Sequence, residues 1–170
     1  TAFYPPLGHR GHDDRCRQVV EALTKRGHRM QVLTSNYRLP PMGVNGEKGV
    51  FRQLIGADAA SVEQGLGTAF RATYEWTLEN TRLLVNRMDR FQPDVVYVWN
   101  QQGLPKSLLF GLQAMETPLL YDLHSNWLNE DTFESDPWFR WWKRNNGLRS
   151  QWYQRFLRLT GSARRHLSHF

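Results

Sequence analysis

Apolar residues recur with the period of a helix early in the chain, directly after a loop rich in glycine and histidine. From residue 13 onward they occupy every third or fourth position, which predicts one buried stripe on an amphipathic helix. The stripe consists of Cys16, Val19, Val20 and Leu23. Acidic residues open this helix and basic residues close it, and Gly27 follows where a left-handed cap is expected.

Short apolar segments bounded by turn-forming residues predict strands. They cover residues 30–35, 50–55, 93–100 and 118–124, and residues 1–6 are predicted to end one more strand. The segment PDVVYVWN is nearly all apolar, which favours a central strand covered on both faces, and PLLYDLH is predicted to be another central strand. Because strand and helix alternate regularly, we predict an α/β fold with a doubly wound, Rossmann-like parallel sheet.

Two further helices are predicted between these strands, over residues 61–90 and 105–115. The second is expected to turn Leu108, Leu109 and Leu112 inward. The apolar stripe expected on the first consists of Phe70, Tyr74, Thr77, Leu78, Leu84, Val85 and Met88.

The pattern changes after the last predicted strand. An aromatic, loop-like stretch follows, and then a basic helix is predicted from about residue 147 to 167. Since the sequence offers no further strand before Phe170, we expect an incomplete sheet. The expected domain is a single N-terminal one, residues 1–170, cut from a longer protein.

Composition and charge narrow the class of protein. The chain has 170 residues, 40% of them apolar, which suits one globular domain. A single cysteine excludes an internal disulfide, and the sequence shows neither a membrane-length apolar run nor a signal-peptide layout, so we expect a cytoplasmic protein. The net charge of +6 favours an anionic partner such as nucleotide phosphate, acidic lipid or nucleic acid.

Ligands of open parallel sheets bind at the carboxyl ends of the strands. That rule nominates the short stretches that follow the predicted strands, all of them rich in hydrogen-bonding side chains. They are residues 7–12, 35–37, 100–103 and 124–127. A ligand site is therefore expected where these stretches converge.

The opening loop, YPPLGHRGHDDRC, allows three interpretations. His9 and His12 have the spacing of metal ligands, but no cluster elsewhere in the sequence completes a site, so no metal is expected. Gly8 and Gly11 permit close approach of a phosphate or sugar to a helix N-terminus, although the loop is neither GxGxxG nor a P-loop. The third interpretation is that the glycines serve only the turn.

His124 ends the last predicted strand and is followed by Ser125 and Asn126. A histidine there is either a satisfied polar residue or a ligand contact, and the polar neighbours favour contact. The sequence has no Gly-x-Ser-x-Gly elbow, which argues against a serine hydrolase. The second strand ends in Ser35 and Asn36 without the acid that a dinucleotide ribose needs, which argues against a dehydrogenase.

Several segments together carry a family resemblance. They are YPP with its glycine-containing loop, RCRQVVEALTKRGHRMQVLTS, PDVVYVWN, PLLYDLHSNWL and DPWFRWW. In combination these segments resemble the N-terminal domain of GT-B-fold glycosyltransferases of family 4. The resemblance covers essentially the whole chain.

The resemblance also nominates site residues. Arg10 and Gly11 occupy the positions of two adjacent glycines in the family's loop, and Asp13 occupies the position of the acidic residue that follows them. An arginine at this place offers its guanidinium to a donor phosphate. His124 matches the histidine that contacts the transferred sugar, which makes it the expected catalytic residue. By the same resemblance Asn100 and Ser125 are expected to line the cleft and bind substrate.

The resemblance implies retaining transfer of a sugar from a nucleotide-sugar donor to an acceptor, without an essential metal or other cofactor. It also implies that this domain binds the acceptor, while a second, C-terminal domain binds the donor. That domain is absent from the 170 residues, so we expect them to fold without turnover. Surface left exposed by the missing domain would favour a dimer.

The segment DPWFRWWKRNNGLRSQWYQRF combines aromatic rings with arginines. It fits either a face packed against the core or the missing domain, or peripheral contact with the inner face of a membrane. Binding of single-stranded nucleic acid lacks a recognition signature, and no nucleic-acid partner is expected. The alternative to a transferase is a non-catalytic module that binds a sugar or nucleotide in the same cleft.

Overall fold

The computed structural model describes residues 1–5, 12–36, 47–56, 66–101, 103–123, 127, 128, 136 and 155. The helices are α1 (His12–Lys25), α2 (Leu66–Phe91) and α3 (Ser107–Gln113). The strands are β1 (Val32–Ser35), β2 (Val50–Leu54), β3 (Val96–Val98) and β4 (Leu119–Tyr121). The basic helix expected after residue 147 lies outside the described residues.

The strands form two parallel pairs, β1 with β2 and β3 with β4. Residues 1–4 lie between the pairs. On one side the Ser35 amide donates to the Ala2 carbonyl at 3.3 Å, and on the other the Ala2 amide donates to the Asn100 carbonyl at 2.7 Å. The extended segments therefore follow the order β2, β1, residues 1–4, β3, β4, which is consistent with a partial Rossmann-like α/β fold.

Strand β3 is covered on both faces, as its apolar sequence predicts. Tyr97 and Trp99 pack in one cluster with α1, whereas Val96 and Val98 pack in another with α2 and α3. Alternate residues of a strand point to opposite faces, so helices lie on both sides of this strand. Among the described residues β4 pairs only with β3, and Leu120 is 52% exposed, so the structure gives it one neighbour rather than two.

The helices α1 and α3 turn the stripes predicted for them inward, and α2 does so in part, because Thr77 is buried and Leu84 and Met88 pack against the core. In α3, the side chains of Leu108, Leu109 and Leu112 are buried. On α2 the expectation that Leu78 and Val85 face inward is wrong, because they are 45% and 38% exposed. Among the residues of α2 whose burial the structure describes, the buried ones are polar: Thr77, which belongs to the predicted stripe, and Asn80, which does not. Their side chains can hydrogen-bond where they pack.

The expected left-handed cap is present at Gly27, where φ is +89°. The Gly27 amide donates to the Thr24 carbonyl at 3.0 Å, and the His28 amide donates to the Leu23 carbonyl at 3.1 Å. These bonds satisfy carbonyl groups that the end of α1 would leave without partners.

Replacing Gly27 with alanine is expected to destabilise the fold by about 1 kcal/mol. A Cβ at this position meets no atom within 4 Å, so the cost is backbone strain alone. Gly111 is the matched control because it lies inside α3 with equally open space, and its replacement by alanine should stabilise by about 0.5–1 kcal/mol. Urea unfolding measures the free energy of unfolding of both variants. Changes of the same sign in the two variants would contradict the strain argument.

Candidate functional site

The carboxyl ends of the strands meet at one edge of the parallel layer, and polar residues follow each strand there. Ser35 is the last residue of β1, and its hydroxyl donates to the Ala2 carbonyl. The amide of the next residue, Asn36, donates to the Leu54 carbonyl at 2.8 Å. Asn100 and Gln101 follow β3 directly. These side chains therefore lie at the edge where ligands of such sheets bind.

The structure describes only part of the site that the sequence predicts. Asn100 lies at the expected edge and is half-buried, and its carbonyl holds residues 1–4 in place. Asp13 lies in the first turn of α1, as expected of a first-turn acid. Arg10, Gly11, His124 and Ser125 lie outside the described residues.

Arg52, which the sequence analysis did not single out, secures the first two residues of the opening loop. It lies on β2, yet its guanidinium donates to the Tyr4 carbonyl at 2.8 Å and to the Pro5 carbonyl. The Glu47 carboxylate lies 3.6 Å away and balances its charge. The sequence signal that could have identified Arg52 is its position inside a predicted strand, because a guanidinium that is buried there needs several hydrogen-bond acceptors.

The Tyr4 side chain is buried beneath the same edge and packs in a cluster with Cys16, Val32 and Trp99. Burial raises the pKa of Tyr4 to about 12, and the neighbouring Cys16 and Glu47 add to that shift. The phenol therefore stays neutral at physiological pH and contributes packing rather than charge to this end of the layer.

Lys106 is the least expected buried residue near the edge, with only 2% of its surface exposed. Its ammonium lies 3.5 Å from the Gln101 carbonyl and 5.6 Å from the centre of the Trp127 ring. Burial lowers the pKa of Lys106, and the nearby Asp136 carboxylate opposes this shift. Asp136 also accepts the Lys106 amide at 2.6 Å, directly before α3 begins.

Two oxygen atoms beside Lys106 are buried without a hydrogen-bond partner in the part of the chain that the structure describes. They are Gln101 Oε1 and Ser107 Oγ. Unpaired buried polar atoms are uncommon in folded proteins. The stretch from Gln101 to Ser107 thus combines a desolvated cation with unused hydrogen-bonding capacity.

A groove of about 360 Å³ opens between α3 and β4 and is named here the α3–β4 groove. One wall consists of Lys106, Leu109, Phe110 and Gln113, and the other of Tyr121, Leu123, Trp127 and Leu128. The Trp127 indole is fixed in this wall, because its N–H donates to the Asp122 carbonyl at 2.7 Å. The groove thus reaches the end of β4, next to His124 in the sequence.

Comparison with known proteins decides the family. The family model of Glycosyltransferase Family 4 matches residues 11–168, nearly the whole chain. The chain belongs to Glycosyltransferase Family 4. No curated protein and no solved structure matches it.

Membership in Glycosyltransferase Family 4 gives the layer a general role. The family domain supports glycosyl transfer, which requires a sugar donor and an acceptor. The match includes the polar ends of β1, β3 and β4 and both walls of the α3–β4 groove. The residues gathered at this edge are therefore the candidates for contact with those substrates.

The described residues also bear on metal binding and on membrane crossing. Within the described ranges no group of three histidine, cysteine or carboxylate side chains is placed to hold a metal ion. Among those residues, too, no helix has both the length and the apolar character that crossing a membrane requires.

Proposed function

We propose that this Family 4 domain takes part in retaining transfer of a sugar from a nucleotide-sugar to an acceptor, with no metal or other cofactor. The family match carries the proposal, because it covers residues 11–168 and with them the polar ends of β1, β3 and β4. In the reaction a bond forms between an acceptor oxygen and the anomeric carbon, and the bond from that carbon to the phosphate oxygen breaks. The acceptor proton and the nucleotide leave.

The proposed roles follow from the chemistry of each side chain. His124 contacts the transferred sugar, where an imidazole can donate or accept a hydrogen bond to a hydroxyl. Gly11 lets the backbone approach the donor, and the Arg10 guanidinium pairs with a phosphate whose charge grows as the nucleotide leaves. Asp13, Asn100 and Ser125 bind substrate hydroxyls in the same cleft.

We also propose a division of labour between two domains. The domain described here binds the acceptor at the carboxyl edge, and a second α/β domain orients the donor nucleotide. Since correct placement of both substrates supplies much of the rate, the 170 residues alone are proposed to bind without turnover. The proposed location is the cytoplasm, with peripheral contact at the inner face of a membrane.

Nucleotide release by the complete protein, measured over a panel of UDP- and GDP-sugars, tests this function. One donor is expected to be consumed, and NMR of the product should show the anomeric configuration of the donor. A product of inverted configuration would contradict the retaining reaction. Binding of a donor with no release under any condition would instead favour the non-catalytic sugar-binding module.

A further inference from the structure

The turn between β3 and α3 is held by hydrogen bonds that converge on one carbonyl group. The Leu104 amide donates to the Gln101 carbonyl at 3.0 Å, and the Lys106 ammonium donates to the same oxygen at 3.5 Å. Gly103 has a φ of +78°, a left-handed conformation that glycine adopts without strain. The main chain of Gln101 is therefore fixed just beyond the carboxyl end of β3.

The side chain of Gln101 is buried, but the fold leaves its amide oxygen unused. Only 5% of the residue is exposed, and Gln101 Oε1 has no hydrogen-bond partner within the described residues. A buried acceptor without a partner lowers stability, and most such groups in folded proteins are paired. A methionine has nearly the same length and would fill this space without that loss. Packing alone therefore does not explain a glutamine at this position.

Gln101 lies at the same edge as the candidate substrate-binding residues. It directly follows Asn100, at the carboxyl end of β3, where ligands of parallel sheets bind. The other unpaired oxygen nearby, Ser107 Oγ, belongs to a half-buried residue of α3 rather than to the end of a strand. Of these two oxygens, that of Gln101 is therefore the one at the ligand-binding edge.

The chemistry of an amide oxygen restricts what pairs with it. The oxygen only accepts hydrogen bonds, so it pairs with a hydroxyl or N–H group and repels a phosphate or carboxylate oxygen. A substrate hydroxyl fits, because it can donate to the amide oxygen and can also accept from the amide nitrogen of the same side chain. Since the turn already fixes the main chain of Gln101, little ordering is lost when such a contact forms.

We propose that Gln101 is a further substrate-binding residue, whose amide oxygen accepts a hydrogen bond from one hydroxyl of the transferred sugar or of the acceptor. The inference rests on the proposed transfer reaction, since it adds a residue to that cleft. Two observations carry it: the fold buries the oxygen without pairing it, and the residue lies just beyond the end of β3. Gln101 thereby favours substrates that have this hydroxyl over those that lack it.

Gln101→Met, made in the complete protein, tests the unpaired oxygen and the contact together. It should raise the melting temperature by about 2–4 °C, because no hydrogen bond within the fold is lost. It should also lower kcat/KM for nucleotide release about fivefold to twentyfold, the scale for one neutral hydrogen bond to a substrate. A residue with a structural role only would lose stability and activity together. A lower melting temperature, or an unchanged kcat/KM, would overturn the proposal.

Monodeoxy substrates show whether the contact is direct. The UDP- or GDP-sugar that the wild-type protein consumes is compared with its monodeoxy derivatives, and the acceptor is compared with its own. The wild type should use one of these derivatives at least about fivefold less well than the parent compound, whereas Gln101→Met should use the two equally. A wild type that uses every derivative like its parent, or a variant that discriminates as strongly as the wild type, would refute the contact.

The source of the hydroxyl follows from the reaction that is affected. Nucleotide release without an acceptor, where water receives the sugar, depends on contacts with the donor alone. A loss in this reaction assigns the hydroxyl to the transferred sugar. A loss confined to the additional release that an acceptor causes assigns it to the acceptor.

Gln53→Met is the matched control, since it makes the same substitution away from the polar edge. Gln53 lies on β2 and is exposed, and its side-chain oxygen accepts the Arg87 guanidinium at 2.9 Å. This variant should leave kcat/KM unchanged and should shift the melting temperature by no more than about 2 °C. Equal losses of kcat/KM in the two variants would refute a contact specific to Gln101.

The two proposals fail in different ways. If a nucleotide-sugar is consumed and Gln101→Met has the kcat/KM of the wild type, the transfer reaction stands and the contact at Gln101 is wrong. Calorimetry with the same panel of UDP- and GDP-sugars covers the opposite case. If one of them binds, Gln101→Met weakens that binding by the expected factor and no nucleotide is released, the contact stands and the transferase function is wrong.

Discussion

Replacing His124 with alanine is expected to lower nucleotide release by the complete protein about 100-fold or more. That is the scale for losing one hydrogen-bonding group that contacts a reacting centre in the transition state. The loss should appear in kcat as well as kcat/KM, because the proposed contact is with the sugar being transferred. Steady-state release of nucleotide, with the donor that the wild-type protein consumes, measures it.

His28 provides the control for this substitution. It follows α1, is exposed, and lies far from β4 in the sequence. His28→Ala should leave kcat unchanged, which separates the role of His124 from a general effect of losing a histidine. A His124→Ala variant with wild-type turnover and an unchanged melting temperature would remove His124 from the reaction and leave Asn100 as the described cleft candidate.

Replacing Asn80 with alanine is expected to lower the free energy of unfolding by about 3 kcal/mol. The Asn80 side chain is fully buried and pairs with both main-chain groups of one residue. Its Oδ1 accepts the Ile55 amide at 2.7 Å, and its Nδ2 donates to the Ile55 carbonyl at 2.8 Å. Each group left without its partner costs about 1–3 kcal/mol.

Thermal or urea unfolding measures this loss, and a domain of this size should melt about 6–12 °C lower. Asn86 is the matched control, since it lies on the same helix and is exposed. Asn86→Ala should change stability by no more than about 0.5 kcal/mol. Similar effects of the two substitutions would show that the bonds to Ile55 do not hold α2 to the end of β2.

Much of the layer follows from local sequence patterns. The period of apolar residues predicts α1 and the inward leucines of α3, and Gly27 predicts the cap that ends α1. These features depend on residues a few positions apart, so a single sequence contains the information they need. The same patterns place Asn100 at the carboxyl edge, where the structure has it.

The features that sequence reading missed depend on distant partners. The apolar period predicted that Leu78 and Val85 face inward from α2. Asn80 is buried although the period does not include it, because Ile55, directly after β2, offers it main-chain partners. The burial of Lys106 likewise depends on Asp136, thirty positions further along the chain. The period of apolar residues cannot predict such long-range hydrogen bonds, because the partners come together only after the strands have assembled.

The position of residues 1–4 affects the order in which the sheet is completed during synthesis. Ala2 is hydrogen-bonded to Ser35 on one side and to Asn100 on the other. Asn100 therefore leaves the ribosome almost a hundred residues later than Ala2. At ordinary translation rates this interval lasts about 5–20 seconds. For that time the middle segment has an unpaired edge, which is a template for misassociation with other nascent chains.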